Sequence, residues 1–212
     1  MKILLTGFNS FEGVRMNPSE QVVRTLAERS RIDIGAELIT AVLPTEYLAA
    51  TRQIRKIIRS VRPDAILCLG VATKRETISL ERVALNLDDD ATADNVGLIR
   101  QGHKIVPNGP DVYWSTLPLA RLQEALRKSR TKASISNHAG TFLCNHAFYI
   151  SRHETARSRR PIPCGFIHLP GSNRGKSKRK YSLDQLIHAV QCCLKVLQSD
   201  LLRKHGNTGP RR

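Results

Sequence analysis

DAILCLG, residues 64–70, is the stretch whose reading decides the fold. Ala65 to Leu69 form an unbroken apolar run, entered by an aspartate and left by a glycine. A run that short and that apolar reads as a strand buried on both faces, which needs helices packed on either side of its sheet. The chain supplies them in alternation. Upstream, KILLT (2–6) and AELITAVL (36–43) read as strands. NPSEQVVRTLAERS (17–30) and EYLAATRQIRKIIRSV (46–61) read as helices, the second with Leu48, Ile54, Ile57 and Ile58 at helical spacing. Asn17 is predicted to cap the first, with Pro18 at the first helical position and Glu20 completing a capping box. Thr45 is predicted to cap the second.

Downstream, ETISLERVALNL (76–87) alternates as a strand should, but its phase changes near Glu81, which suggests a bulge. DDDATADNVG (88–97) and VPNGPDV (106–112) read as turns. PLARLQEALRKS (118–129) is a helix opened by Pro118, ASISN (133–137) a short strand, TFLCNHAFYISRH (141–153) a helix and CGFIHLP (164–170) a strand. Ser182 and Gln185 form a capping box for a long last helix that buries Leu183, Leu186, Ile187, Val190, Cys193, Leu194, Leu197 and Leu201.

This alternation predicts a three-layer α/β/α sandwich with a largely parallel twisted sheet. It forms a single domain over residues 1–203, with a basic, frayed tail at 204–212. Sites in such folds lie at the carboxyl ends of the strands, so the loops after Thr6, Gly70, Asn137 and His168 are expected to meet at one edge.

Composition narrows the function classes. A chain of 212 residues that is 41% hydrophobic and 25% charged is an ordinary globular domain. No apolar window is long enough for a membrane span, and the opening run is too short for a signal peptide, so a cytoplasmic location is expected. The five cysteines, Cys68, Cys144, Cys164, Cys192 and Cys193, are odd in number and contain no C-x-x-C pair. Reduced thiols are therefore expected, and neither a disulfide framework nor a cysteine zinc site. The net charge of +16 is concentrated in 152–161, 173–180 and the C-terminal end, read as solvated loops and tail. Aromatic content of 5% leaves little for stacking on bases, so neither a specific nucleic-acid partner nor a membrane partner is expected.

Three residues are candidates for nucleophilic chemistry, which needs a thiolate, a base and a group that orients the base. Cys144 lies one turn into its helix, where free N–H groups and the dipole favour a thiolate. His168 stands near the end of an apolar strand, and Glu81 interrupts another. Each has a plain structural alternative: a buried thiol, a strand-end histidine, a solvated glutamate. Phe8, Phe11 and Phe142 read, from the residues alone, as core packing.

At these residues the chain resembles the type I pyroglutamyl peptidases (pyrrolidone-carboxylate peptidases). The likeness runs through LLTGFNSF, NPSE, ISLERVALN, GPDVYWSTLP, SNHAGTFLCNHAFY and GFIHLP, in order over roughly residues 1–200. It implies a cysteine exopeptidase of the α/β class that removes N-terminal pyroglutamate from peptides, without metal or cofactor, commonly as a homotetramer. Glu81, Cys144 and His168 fall on the catalytic positions, and Phe8, Phe11 and Phe142 on the walls around the lactam ring. The chain departs from the family at Glu12, at Thr73 and Lys74, and at Ala91, where the family carries an arginine that helps hold the oxyanion. Arg75 or Lys74 is a possible substitute. Loss of one oxyanion donor costs about a hundred- to thousandfold in rate, so a slow enzyme is expected. The other expectation from these departures and the charge is a catalytically weak member that binds an acidic partner through its basic loops.

Overall fold

The computed structural model describes residues 1–28, 35–171 and 181–206. Nine strands and five helices follow one another in these residues. They are β1 (Lys2–Phe8), α1 (Pro18–Glu28), β2 (Glu37–Leu43), α2 (Tyr47–Val61), β3 (Ala65–Ala72), β4 (Ile78–Leu85) and β5 (Asp88–Asp90). After them come β6 (Arg100–His103), β7 (Val112–Trp114), α3 (Leu119–Lys128), β8 (Ala133–His138), α4 (Leu143–Ala156), β9 (Cys164–Pro170) and α5 (Leu183–Gly206). The main sheet runs β2-β1-β3-β9-β4-β7, with β8 also paired to β4.

The DAILCLG run is β3, at the centre of this sheet between β1 and β9 and parallel to both. The period of two divides its side chains between two cores. Leu67 and Leu69 join Ile3, Leu5, Ile167 and Leu169 under α1, α3 and α5. Ile66 and Cys68 join Leu4, Cys164 and Phe166 under α2 and α4. The three layers of the predicted sandwich are therefore present, in one α/β unit.

One expected feature of the topology is corrected. β4 pairs antiparallel with β9 and parallel with β8, so β8 runs opposite to β1, β3 and β9. The connection from β3 to β4 spans only residues 73–77, too short to carry the helical crossover a parallel return requires. The loop after β8 thus does not leave from the same edge as those after β1, β3 and β9. The predicted bulge at Glu81 is also absent: the β4–β8 register is constant from Ile78↔Ala133 to Val83↔His138. The phase change reflects a change of surroundings. Ile78 to Glu81 are buried throughout, with β9 beside Ser79 to Glu81, whereas Val83 to Leu85 pair with β7.

Helix ends were partly legible. Asn17 caps α1, its Oδ1 accepting from the Ser19 N–H at 3.0 Å, but Glu20 pairs with Arg24 instead of closing a capping box. The N-cap of α2 is Glu46, not Thr45, and the Tyr47 N–H donates to Asp94 Oδ2 at 3.0 Å. The Ser182–Gln185 box is present in both directions, at 2.8 and 3.2 Å. Helix α5 extends to Gly206, beyond the expected start of the tail, and residues 207–212 lie outside the described ones, as does the basic segment 173–180. The first residues of the basic segment 152–161 are not a solvated loop. Arg152 is buried in α4 and donates to Trp114 O and Thr155 Oγ1.

Candidate active site

The site begins with a missing side chain. Gly70, near the end of β3, faces α4, and a Cβ added there would lie 2.7 Å from Cys144 Sγ and 2.6 Å from Phe166 Cζ. Only glycine lets the thiol settle this closely onto the sheet. The register partner of Gly70 on β9 is His168. The sulfur and the imidazole therefore belong to adjacent positions on one face of the sheet.

His168 is in turn joined to Glu81. Ser79 lies opposite His168 in the antiparallel β4–β9 pair, and Glu81 is its diagonal neighbour. His168 Nδ1 and Glu81 Oε1 are 2.7 Å apart, and Glu81 is fully buried. A carboxylate accepts, so Nδ1 carries the proton and Nε2 is the basic nitrogen. A buried carboxylate needs compensation, and it has a second partner in Arg75, from the 73–77 connection, whose Nη1 donates to the same Oε1 at 2.5 Å. Glu81 Oε2 is buried without a hydrogen-bond partner among the described residues.

Cys144 is the second residue of α4, after the extended N-cap residue Phe142. The first-turn N–H groups of a helix have no intrahelical acceptors, and those of Leu143, Cys144 and Asn145 point out of the start of α4, where a helix favours an anion. Three sets of bonds hold this helix start in place. Asn145, fully buried, accepts from Leu85 N–H and donates to the carbonyls of Leu85 and Leu87. His146 bridges Asp88, at 2.9 Å from Nδ1, and Thr51, at 2.6 Å from Nε2, tying β5 to α2 through α4. Thr141 accepts from and donates to the backbone of Asp89, after Gly140 turns with a φ of 82°.

Comparison with known proteins decides what this arrangement belongs to. A sequence profile described as pyroglutamyl peptidase matches residues 1–198. The chain belongs to the pyroglutamyl peptidase family. Pyrrolidone-carboxylate peptidase 1 of Caldanaerobacter subterraneus subsp. tengcongensis is 37% identical over 201 residues, 93% of this chain and 98% of that one. The crystal structure of Bacillus amyloliquefaciens pyroglutamyl peptidase I superposes with a TM-score of 0.87 at 35% identity, covering 93% of this chain and 97% of that one. Pyrrolidone carboxyl peptidase of Pyrococcus furiosus gives a TM-score of 0.89 at 32% identity, covering 95% and 100%.

Within this family fold the structure brings together most of the residues singled out from sequence. Phe8 is buried in the core beneath α2 and α4, and Phe142 and Cys144 pack against that same core. Phe142 also meets Tyr47 edge-on at 5.7 Å. Phe11 lies apart from that cluster, in a small bridge with Val14. Ala91 is exposed in the turn after β5.

The state of the thiol differs from the helix-start expectation. Burial and the nearby Glu81 push the Cys144 thiol up to about 12, with Arg75 acting in the opposite direction. Cys144 as a residue is partly exposed, but its sulfur packs inward over Gly70, where water is excluded and the charged form is penalised. Burial therefore favours the protonated thiol. Sequence reasoning considered Arg75 only as a substitute oxyanion donor, and its ion pair with Glu81 is a product of the fold. Asn145 and His146 carried a signal in their nearness to Cys144, whereas the roles of Gly70 and Asp94 depend on contacts across the fold.

Proposed function

We propose that this chain is a cysteine exopeptidase that hydrolyses N-terminal pyroglutamate from peptides through a thioester intermediate, with Cys144 as nucleophile, His168 as base and Glu81 as its orienting group. The observation that carries this reading is the Glu81–His168 hydrogen bond beside a thiol at the start of α4, in a chain of the pyroglutamyl peptidase family. His168 Nε2 takes the Sγ proton as the sulfur attacks the pyroglutamyl carbonyl carbon. The oxyanion is held by the N–H groups of the first α4 turn. The C–N bond then breaks, and the imidazolium returns its proton to the leaving amine. Water, deprotonated by His168, attacks the thioester and releases pyroglutamate and the thiol.

Phe8 and Phe142, in one apolar cluster with Cys144, are proposed walls around the uncharged lactam, and Phe11, outside that cluster, is proposed as a third on the family resemblance alone. With alanine at position 91, turnover is expected to be modest. The proposal extends to a reducing, cytoplasmic setting, supported by the five free cysteines. It extends also to a homotetramer, supported by the family resemblance and by exposed apolar side chains at Leu48, Val96 and Ile99. Incubation of the purified protein with pyroglutamyl-aminomethylcoumarin under reducing conditions should release the fluorophore, and Cys144→Ala should abolish release. Equal rates from the two proteins would refute the assignment of the nucleophile.

A further inference from the structure

The Glu81 carboxylate has an unusual set of neighbours for a group that only orients a histidine. It is fully buried, and both of its bonds, from His168 and from Arg75, fall on Oε1. An imidazole that is to act as a base brings no charge to balance a buried anion, so the guanidinium of Arg75 is its counter-ion. Other groups facing the carboxylate do not replace it. Cys144 from α4 carries a thiol, and the register partners of Glu81 are Ser136 on β8 and Phe166 on β9.

Arg75 is held within reach of this carboxylate by the chain itself. Its N–H donates to Ala72 O in a turn directly after β3, two residues beyond the Gly70 level, so the same short connection places the thiol's floor and the guanidinium. Its side chain remains one-third exposed, at 34%, so the charge is accessible from solvent while its partner is not.

We infer that Arg75 is a positioning residue that keeps Glu81 ionised throughout the reaction cycle and so sets the pH range over which His168 works as a base. The inference rests on the proposed roles of Glu81, Cys144 and His168. Without Arg75, the buried carboxylate takes up a proton more readily, and the bond that orients Nδ1 is lost when it does. The imidazole also loses a repelling positive neighbour and holds its own proton more tightly. Both changes move the acid limb of activity in the same direction, toward higher pH.

The test is the pH dependence of kcat/KM for Arg75→Met and Arg75→Lys with the pyroglutamyl fluorogenic substrate. Arg75→Met should lose activity about 10- to 100-fold, mostly in kcat. Its acid limb should move up by about 1–3 pH units, the usual effect of removing an opposite charge beside a carboxylate. Arg75→Lys should restore most of the limb's position, and added guanidinium should partly rescue Arg75→Gly. In a Glu81→Gln background, Arg75→Met should cost little more. An unmoved acid limb in Arg75→Met, or full additivity with Glu81→Gln, overturns the inference. If Arg75→Met does not fold, the guanidinium rescue and the Arg75→Lys profile decide it: no rescue together with a lysine profile shifted like a neutral variant's counts against it. Loss of activity in Cys144→Ala alongside an unmoved limb in Arg75→Met would reject the role of Arg75 and leave the proposed function standing.

Discussion

At the residue scale, a side chain that is absent matters as much as the ones that react. Gly70 sits where any Cβ collides with the Phe166 ring and with Cys144 Sγ. Gly70→Ala is therefore expected to cost about 1–3 kcal/mol in stability through overpacking. It should also cost roughly a hundredfold in kcat, because a displacement of about 1 Å at a reacting atom is enough for that. Thermal melts and steady-state kinetics on the purified variant check both. A folded Gly70→Ala protein with undiminished kcat would mean that the reacting sulfur does not need this position. None of this was legible from DAILCLG alone, where the glycine reads only as the end of a strand. Glu81, by contrast, announced itself as an acid in an apolar run, and the structure accounts for the anomaly with two partners on one oxygen.

At the element scale, the helices and long strands were legible because their apolar periods are set by the core they bury. The short strands were not. β5 and β6 are three or four polar residues each, DDD and RQGH, and β7 is only the three residues VYW, entered directly from the turn-rich VPNGPDV. What makes them strands is pairing between residues far apart, such as Asp88↔His103 and Leu85↔Val112. The same segment supplies a cap no local rule predicts. Asp94 accepts from Tyr47 N–H at the start of α2, and from Val96 and Leu98 N–H within its own loop. Asp94→Ala should lower stability by about 1–3 kcal/mol in urea unfolding, with Asp94→Asn losing less, because an amide oxygen can still accept. Equal stabilities of Asp94→Ala and the parent would show that the cap contributes nothing.

At the scale of the whole molecule, the buried thiols make stability depend on pH in a definite direction. Burial pushes Cys68, Cys144, Cys164 and Cys193 all upward. In the unfolded chain they ionise near the ordinary thiol value of about 8.5, whereas in the folded chain they stay neutral. Below that value both states hold the thiol protons, and the thiols add no pH dependence. Above it the unfolded state alone releases protons, so stability falls as pH rises, by up to about 1.4 kcal/mol per pH unit for each thiol. Melting temperatures under reducing conditions should therefore drop between pH 8.5 and 10, and Cys193→Ala should make that slope shallower. A flat profile, or the same slope in the variant, would contradict the burial of these thiols as ionisation-resistant groups.

What the sequence determined by itself was the alternation of strands and helices, the two-faced central strand, and the order of motifs carrying Glu81, Cys144 and His168. These are consequences of local period and residue type, which are present in the chain before it folds. The direction of β8, the counter-ion on Glu81, the cap on α2 and the upward push on the Cys144 thiol were decided only by tertiary structure. Each depends on which distant groups share a dehydrated space, and the energy of a charge or a donor there is set by its neighbours and not by its place in the chain.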